Sequence, residues 1–305
     1  MINNNTQEIL DKIGKHKAAK RILLQAPEGL KKQIISIADE IQKAGYAAII
    51  SLNPCYGACD LPVEEAKIAK VDLIVHIGHR QFYRKIKTKT PVIYIDWKSD
   101  TKLSDKARSE LNKIKEQRIG LVSSVQYLEL LAAIKDEMRK NNKFVLIGGH
   151  ILGCWYENAT KIEHDVDCFL FVGTGEFHPL GLKTEKKFYF LDLEKNQLRD
   201  MRDDLMKQEK IRQGKIMKAK DAKTFGILVT TRAGQSDMER AEKIKKELGR
   251  KDKKAFILIM DDVKNENLMG LEFDAYINTA CPRIIYDRFD RPVINASDIL
   301  ELFKE

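Results

Sequence analysis

The sequence predicts an α/β protein made of three similar domains, each a small doubly wound parallel sheet. Short apolar runs rich in β-branched residues and bounded by Gly or Pro are typical of strands buried on both faces of such a sheet. These runs fall into three sets of four, and the first runs begin near residues 21, 118 and 224. In every set a charged segment with helical periodicity follows the first run.

The predicted strands are apolar segments with few charges in their interiors. They occupy 21–27, 47–54, 71–78 and 91–96 in the first set, 118–124, 143–149, 166–173 and 187–193 in the second, and 224–230, 254–260, 273–279 and 291–295 in the third.

The predicted helices carry apolar residues at a spacing of three to four, which places these residues on one face. They occupy 30–45, 126–141 and 236–249, and two of them end at Gly, a common helix stop. The strongly charged segment 193–223 predicts a further helix that bridges the second and third sets. Solenoid repeats span roughly 20–50 residues. The longer period here therefore predicts separate domains at 1–115, 116–220 and 221–305.

The charge and composition argue against a nucleic-acid-binding protein and against a membrane protein. The 305 residues include 54 Lys and Arg against 45 Asp and Glu, a net charge of +9. The lysines are spread over predicted helix faces among acidic residues, and the aromatic sheet motifs of single-strand RNA binders are absent, so we expect no direct nucleic-acid contact. No apolar run approaches the roughly 18 residues of a membrane span, and the start of the chain has no apolar leader. We expect a cytoplasmic protein with no membrane contact.

The five cysteines are too few for a disulfide scaffold and indicate a reducing compartment. Cys55 and Cys59 follow the second strand of the first set, Cys154 follows the second strand of the second set, and Cys281 follows the third strand of the third set. Ligands bind beyond the carboxyl ends of parallel strands. Three thiolates gathered there could hold zinc with an open fourth position or an iron–sulfur cluster, and their spacing favours neither. Cys168 lies inside a predicted strand and is expected in the core.

Seven motifs, in order along nearly the whole chain, together resemble the archaeal-type iron–sulfur enzymes of diphthamide biosynthesis, the 2-(3-amino-3-carboxypropyl)histidine synthases. The motifs are APEGLKK (26–32), YGACD (56–60), HIGHR (76–80), ILGC (151–154), GEFHP (175–179), TRAGQ (231–235) and FDAYINTACPRIIYD (273–287).

This resemblance implies three related domains in a pseudo-threefold triangle, a homodimer, and a 4Fe–4S cluster held by Cys59, Cys154 and Cys281. It also implies the reaction. S-adenosylmethionine is cleaved to a 3-amino-3-carboxypropyl radical, which adds to C2 of a histidine of translation elongation factor 2 and leaves 5′-methylthioadenosine. An electron donor, which the sequence does not identify, is needed.

Further candidate residues for cofactor binding stand in the loops after the strands. Some have a second interpretation: Glu28 is also a favourable acid at a helix start, and Arg283 either holds the methionyl carboxylate or pairs with Asp287. His76, on an apolar strand, is expected in the core, and Cys55 is an alternative cluster ligand to Cys59. The cofactor candidates are Glu28, Gly29, Gly57, His79, Gly153, His178, Gly234, Gln235, Arg283 and Asp287.

Two other functions are compatible with parts of these observations. A quinolinate synthase-like enzyme also has three α/β domains and a three-cysteine 4Fe–4S cluster, but the motifs above match the diphthamide enzymes. A basic protein that binds RNA or the ribosome, with incidental cysteines, is the non-enzymatic alternative.

Overall fold

Each predicted set of strands forms its own sheet in the computed structural model of the protein, which describes residues 4–84 and 86–304. In all three sheets the second strand along the chain lies at one edge, followed by the first, the third and the fourth. These four strands are parallel in every sheet. The predicted fold class, three doubly wound parallel sheets, is confirmed.

The first sheet is covered on both faces. One face packs on α1 and α2, and the other packs on the short helix α3, with separate clusters of buried Ile, Leu and Val on the two sides. The elements are α1 (Asn4–Gly14), β1 (Arg21–Gln25), α2 (Lys31–Lys43), β2 (Ala47–Ile50), α3 (Val63–Ile68), β3 (Leu73–Ile77) and β4 (Val92–Ile95).

The second sheet has one strand more than predicted. Its elements are α4 (Asp105–Leu111), β5 (Arg118–Ser123), α5 (Leu130–Lys140), β6 (Phe144–His150), α6 (Glu157–Thr160), β7 (Cys168–Gly173), β8 (Lys187–Asp192) and β9 (Gln197–Asp200). Strand β9 pairs antiparallel with β8. The prediction of a helix throughout 193–223 is therefore wrong at its start, where a tight turn with Asn196 at φ 52° returns the chain to the sheet edge.

The third sheet repeats the first with a long helix before it. Its elements are α7 (Arg202–Ala219), β10 (Thr224–Thr230), α8 (Met238–Gly249), β11 (Lys254–Met260), β12 (Ala275–Asn278), β13 (Val293–Asn295) and α9 (Ile299–Leu302). None of the helices within 4–84 and 86–304 is long and apolar enough to cross a membrane.

Two helices pack across the predicted domain borders. Helix α4 precedes the predicted border at 115/116, yet Ala107 and Leu111 are buried in the core of the second sheet. Helix α7 precedes the border at 220/221, yet Ile216 and Ala219 are buried in the core of the third. We propose that the second domain includes α4 and that the third begins with α7.

An aspartate occupies the same place in all three sheets. Asp72, Asp167 and Asp274 each precede the third strand, and each carboxylate accepts a hydrogen bond from the backbone N–H groups that open the first strand. The donors are Lys20 and Arg21 for Asp72, Arg118 for Asp167, and Lys223 and Thr224 for Asp274. The repeat thus extends to the polar contacts that start each sheet.

Because of these three aspartates, we expect the stability of the folded protein to fall as the solution becomes acidic. Backbone hydrogen bonds lower the pKa of Asp72 and Asp274, and the bond with the Arg118 side chain lowers that of Asp167, from the ordinary value of 3.8. A depressed folded-state pKa contributes stability above pH 3.8 that is lost as the pH falls through the folded-state value. Asp72→Asn should therefore lower the Tm at pH 5 and reduce its fall between pH 4 and 2. The exposed Asp221→Asn is the control, and equal curves for both variants would contradict the assignment.

Candidate metal centre

One cysteine from each domain reaches a common cavity at the carboxyl ends of the strands. Cys59 lies in the loop after β2, Cys154 in the loop after β6, and Cys281 directly before the 3-10 turn that follows β12. All three line a cavity of about 690 Å³ and an adjoining one of about 210 Å³. The structure therefore brings together three cysteines that are far apart in the sequence.

The three thiols are partly buried and interact electrostatically. Burial raises the pKa of Cys59 to about 11 and that of Cys154 to about 12, and it also raises the pKa of Cys281. The charges of Cys281 and Cys59 add to the rise at Cys154, so the thiolates lie close enough to repel one another. Burial disfavours the thiolate form of these cysteines, and a bound cation would stabilise it. The donor set, three sulfurs on one wall, is suited to a soft metal group such as an iron–sulfur cluster.

The Cys59 loop is held by the loop after β10, in the third domain. The N–H of Gly234 donates to the carbonyl oxygen of Cys59 at 2.8 Å, and Nε2 of Gln235 donates to its Sγ at 3.2 Å. A Cβ atom at Gly234 would lie only 2.7 Å from the Cys59 oxygen and 2.8 Å from its Cα. Glycine at 234 thus allows the two backbones to approach closely.

Arg232 provides a second connection between the same two loops. Its guanidinium forms salt bridges with Asp60, next to Cys59, and with Asp262 of its own domain. It also lies over the ring of Tyr56, 4.7 Å from the centroid. Sequence reasoning did not select Arg232 as a site residue, although it lies in the TRAGQ motif, because its partner Asp60 is 172 residues away.

The Cys154 loop is closely packed from the side of the second domain. A Cβ at Gly153 would lie 2.7 Å from the carbonyl oxygen of Phe177, and a Cβ at Gly181 would meet the Gly153 backbone at 2.1 Å. In the third domain, Nδ2 of Asn278 donates to the carbonyl oxygen of Cys281 at 2.8 Å. Each of the three cysteines thus lies on a loop fixed by specific contacts.

Two buried polar atoms in the cavity wall lack partners within the described residues. They are Nδ1 of His178 and Nε of Arg283. Another nitrogen of Arg283 donates to the carbonyl oxygen of Leu180 at 3.1 Å, and its guanidinium lies 4.5 Å from the ring centroid of Tyr286. In the described part of the chain Arg283 forms no salt bridge with Asp287, the alternative that the sequence allowed. Buried polar atoms without partners are expected where a polar ligand binds.

The other candidate residues also lie at or near the cavities. Glu28, Gly29, Gly57, His79 and Asp287 line the larger cavity, and Gly234 lines the smaller one. Gly153 lines neither. Glu28 is exposed and forms a salt bridge with Lys31 at the start of α2, so both of its predicted interpretations remain compatible with its position.

Comparison with known proteins assigns the chain to a family. The family described as "Putative diphthamide synthesis protein" matches residues 26–304. The chain is 30% identical to 2-(3-amino-3-carboxypropyl)histidine synthase of Pyrococcus horikoshii, over 96% of this chain and 88% of the relative. It is 28% identical to the Methanocaldococcus jannaschii protein of the same name, over 95% of this chain and 85% of that one.

A solved structure agrees with these sequence comparisons. The crystal structure of Dph2 from Pyrococcus horikoshii with a 4Fe–4S cluster has a TM-score of 0.87 and 30% identity, and the match covers 97% of this chain and 89% of that one. The resemblance inferred from the motifs is confirmed, and the quinolinate synthase alternative is not favoured. The chain belongs to the diphthamide synthesis protein family.

Proposed function

We propose that this protein catalyses the first step of diphthamide biosynthesis. It transfers the 3-amino-3-carboxypropyl group of S-adenosylmethionine to C2 of a histidine of translation elongation factor 2 and releases 5′-methylthioadenosine. The observation that carries the proposal is that one cysteine from each domain, Cys59, Cys154 and Cys281, lines the same two cavities. The chain that contains them belongs to this family. The relatives named above are synthases of the same modified histidine.

Cys59, Cys154 and Cys281 are the residues that would hold a 4Fe–4S cluster. When bound, such a cluster supplies the electron that cleaves S-adenosylmethionine between its sulfur and the γ-carbon of its methionine part. The amide of Gln235 donates toward the Cys59 sulfur, and a hydrogen bond of this kind stabilises negative charge on a thiolate. Three cysteine ligands leave one position of a four-iron group without a protein ligand.

Arg283 and His178 are the residues proposed to hold the methionyl end of the cofactor. Both line the same cavity as the cysteines, and each has a buried nitrogen without a partner among the described residues. Burial lowers the pKa of His178 to about 4, so its ring is neutral at neutral pH and acts as a hydrogen-bonding group rather than a cation. The guanidinium of Arg283 therefore supplies the positive charge that a carboxylate requires.

Arg283→Ala is expected to weaken S-adenosylmethionine binding by about 10–100-fold, because a hydrogen bond to a charged group contributes roughly 1.5–3 kcal/mol. Anaerobic titration of the reconstituted protein measures this change, and the visible absorbance of the cluster should remain that of the parent. Arg288→Ala is the matched control, because Arg288 is exposed and lines neither cavity. Equal affinities in the two variants would remove Arg283 from the cofactor site.

The function is tested by incubating anaerobically reconstituted protein with S-adenosylmethionine, dithionite and elongation factor 2. We expect methylthioadenosine in the supernatant and one added aminocarboxypropyl group on the target histidine by mass analysis. Cofactor cleavage without modification of the factor would contradict the proposed substrate. An unmodified cofactor in the presence of a reduced cluster would contradict the proposed reaction.

The proposal also includes the location, the oligomeric state and the partners of the enzyme. It acts in the cytoplasm as a homodimer, it has elongation factor 2 as its protein substrate, and it takes its electron from a donor whose identity is open. The oligomeric state is tested by sedimentation of the anaerobic protein, for which a dimer is expected.

A further inference from the structure

A second group of side chains that could bind a metal ion lies close to Cys59, Cys154 and Cys281. It consists of Cys55, from the loop after β2, and of His76 and His79, from the end of β3 and the loop that follows. One ligand atom of each residue lies within 4.8 Å of the other two. Cys55 and His76 are buried, and His79 is partly exposed. None of these residues is needed to hold the cluster proposed above.

The hydrogen bonds around His76 define its tautomer. Nε2 of Gln25 donates to the carbonyl oxygen of Asp60 at 2.7 Å, so Oε1 of Gln25 is the atom that faces the imidazole. Nδ1 of His76 lies 2.7 Å from that oxygen and must therefore carry the proton. Nε2 of His76 is left with a lone pair directed away from Gln25. An imidazole that donates one N–H to an amide oxygen and presents the other nitrogen is the usual state of a metal ligand.

The lone pair of His76 faces the second histidine. Nε2 of His76 and Nδ1 of His79 are 3.1 Å apart. At metal–ligand distances of about 2.0–2.3 Å, tetrahedral ligand atoms are separated by roughly 3.3–3.7 Å. The two nitrogens thus already have nearly the required separation. A metal ion would take the place of the proton that Nδ1 of His79 donates to His76, and that proton would move to Nε2 of His79, which stays a neutral imidazole.

The group is accessible from the larger cavity. Cys55 and His79 both line that cavity, and His76 lies behind them without exposure to solvent. An ion therefore has an entry path, and a fourth ligand would come from the cavity side. One thiolate and two imidazoles with an open fourth position form a donor set that suits zinc and similar borderline divalent cations.

We propose that Cys55, His76 and His79 form a second metal site, which binds one divalent cation of the zinc class. The ion would join the loop that carries Cys59 to the end of β3, with Gln25 as the outer partner that orients His76. This inference is independent of the proposed reaction, because it uses none of the three cysteines assigned to the cluster.

The test uses Co²⁺ as a spectroscopic probe in a chain without the cluster ligands. The background variant Cys59→Ala, Cys154→Ala, Cys281→Ala retains two thiols, Cys55 and Cys168. We expect one equivalent of Co²⁺ to bind with a thiolate-to-cobalt charge-transfer absorption. Adding Cys55→Ala should abolish this absorption, and adding His79→Ala should weaken binding at least about tenfold. Cys168→Ala is the matched control and should leave the absorption unchanged, because Cys168 lies inside β7.

Two results with the background variant would overturn the second site. One is a folded background variant, judged by cooperative thermal unfolding, that shows no charge-transfer absorption with Co²⁺. The other is an absorption that persists after Cys55→Ala. If the background variant does not fold, zinc uptake by the cluster-loaded parent is measured by competition with a coloured chelator. One zinc per chain that is lost in Cys55→Ala supports the site, and no zinc uptake by the parent overturns it.

Discussion

Replacing Cys154 by alanine is expected to remove most of the iron from the anaerobically reconstituted protein and to abolish cleavage of S-adenosylmethionine. The reason is that Cys59, Cys154 and Cys281 are the cysteines of the described chain that line both cavities, so each would supply one of three protein anchors. The same result is expected for Cys59→Ala and Cys281→Ala. Iron and sulfide per chain, together with the visible absorbance, measure the loss directly and do not depend on turnover.

Cys168→Ala is the control for these variants. Cys168 is fully buried in β7, away from the wall, and its replacement trims a core side chain at a cost of roughly 1 kcal/mol. It should retain the iron content of the parent with a slightly lower Tm. A Cys154→Ala variant that retained full iron and activity would show that the cluster is held elsewhere.

Gly234→Ala is expected to destabilise the cluster without touching a ligand. A Cβ at 234 would lie 2.7 Å from the carbonyl oxygen of Cys59, a backbone atom that cannot rotate away. The two loops must then separate, which strains the hydrogen bond from Gly234 and the contact of Gln235 with the Cys59 sulfur. Overpacking of this kind costs about 1–3 kcal/mol, and 1.4 kcal/mol corresponds to a factor of ten, so retention of iron against a chelator should fall about tenfold.

Gly214→Ala provides the same substitution where there is space for it. Gly214 lies inside α7, and an added Cβ would meet nothing within 4 Å, so this variant should keep its iron and gain up to about 1 kcal/mol of helix stability. Iron retention in Gly234→Ala equal to that of Gly214→Ala would show that the close approach to Cys59 does not matter for cluster binding.

The strands were predictable because a parallel sheet covered on both faces needs continuous apolar runs. The first strands of the three domains therefore start at or near their predicted positions, Arg21, Arg118 and Thr224. Strand β9 was not predictable in the same way, although its partner β8 was predicted at 187–193. Strand β9 lies at a sheet edge, it is only four residues long with one apolar residue, and the charged α7 follows it at once.

The site was predictable only as far as the topology of each domain determines it. Cysteines that follow strands in parallel sheets lie at the ligand-binding edge, and this placed Cys59, Cys154 and Cys281 correctly at that edge. The contacts of Arg232 with Asp60 and of Gln235 with Cys59 join different domains, and no local pattern encodes them. His76 was expected to be an ordinary core residue. It is buried, as expected, but it also belongs to a polar group that only the structure reveals.

The contacts of Gly234 and Gln235 with the Cys59 loop determine when, during translation, the proposed cluster site can form. A ribosome releases the first domain long before Gly234, Gln235 and Cys281 have emerged, so a growing chain presents Cys59 on a loop that lacks its supports. The set of three cysteines is complete only when the third domain has folded and packed against the first. The proposed cluster site can therefore be completed only after Cys281 has been synthesised, and a chain cut short before β10 would offer only two of its three cysteines.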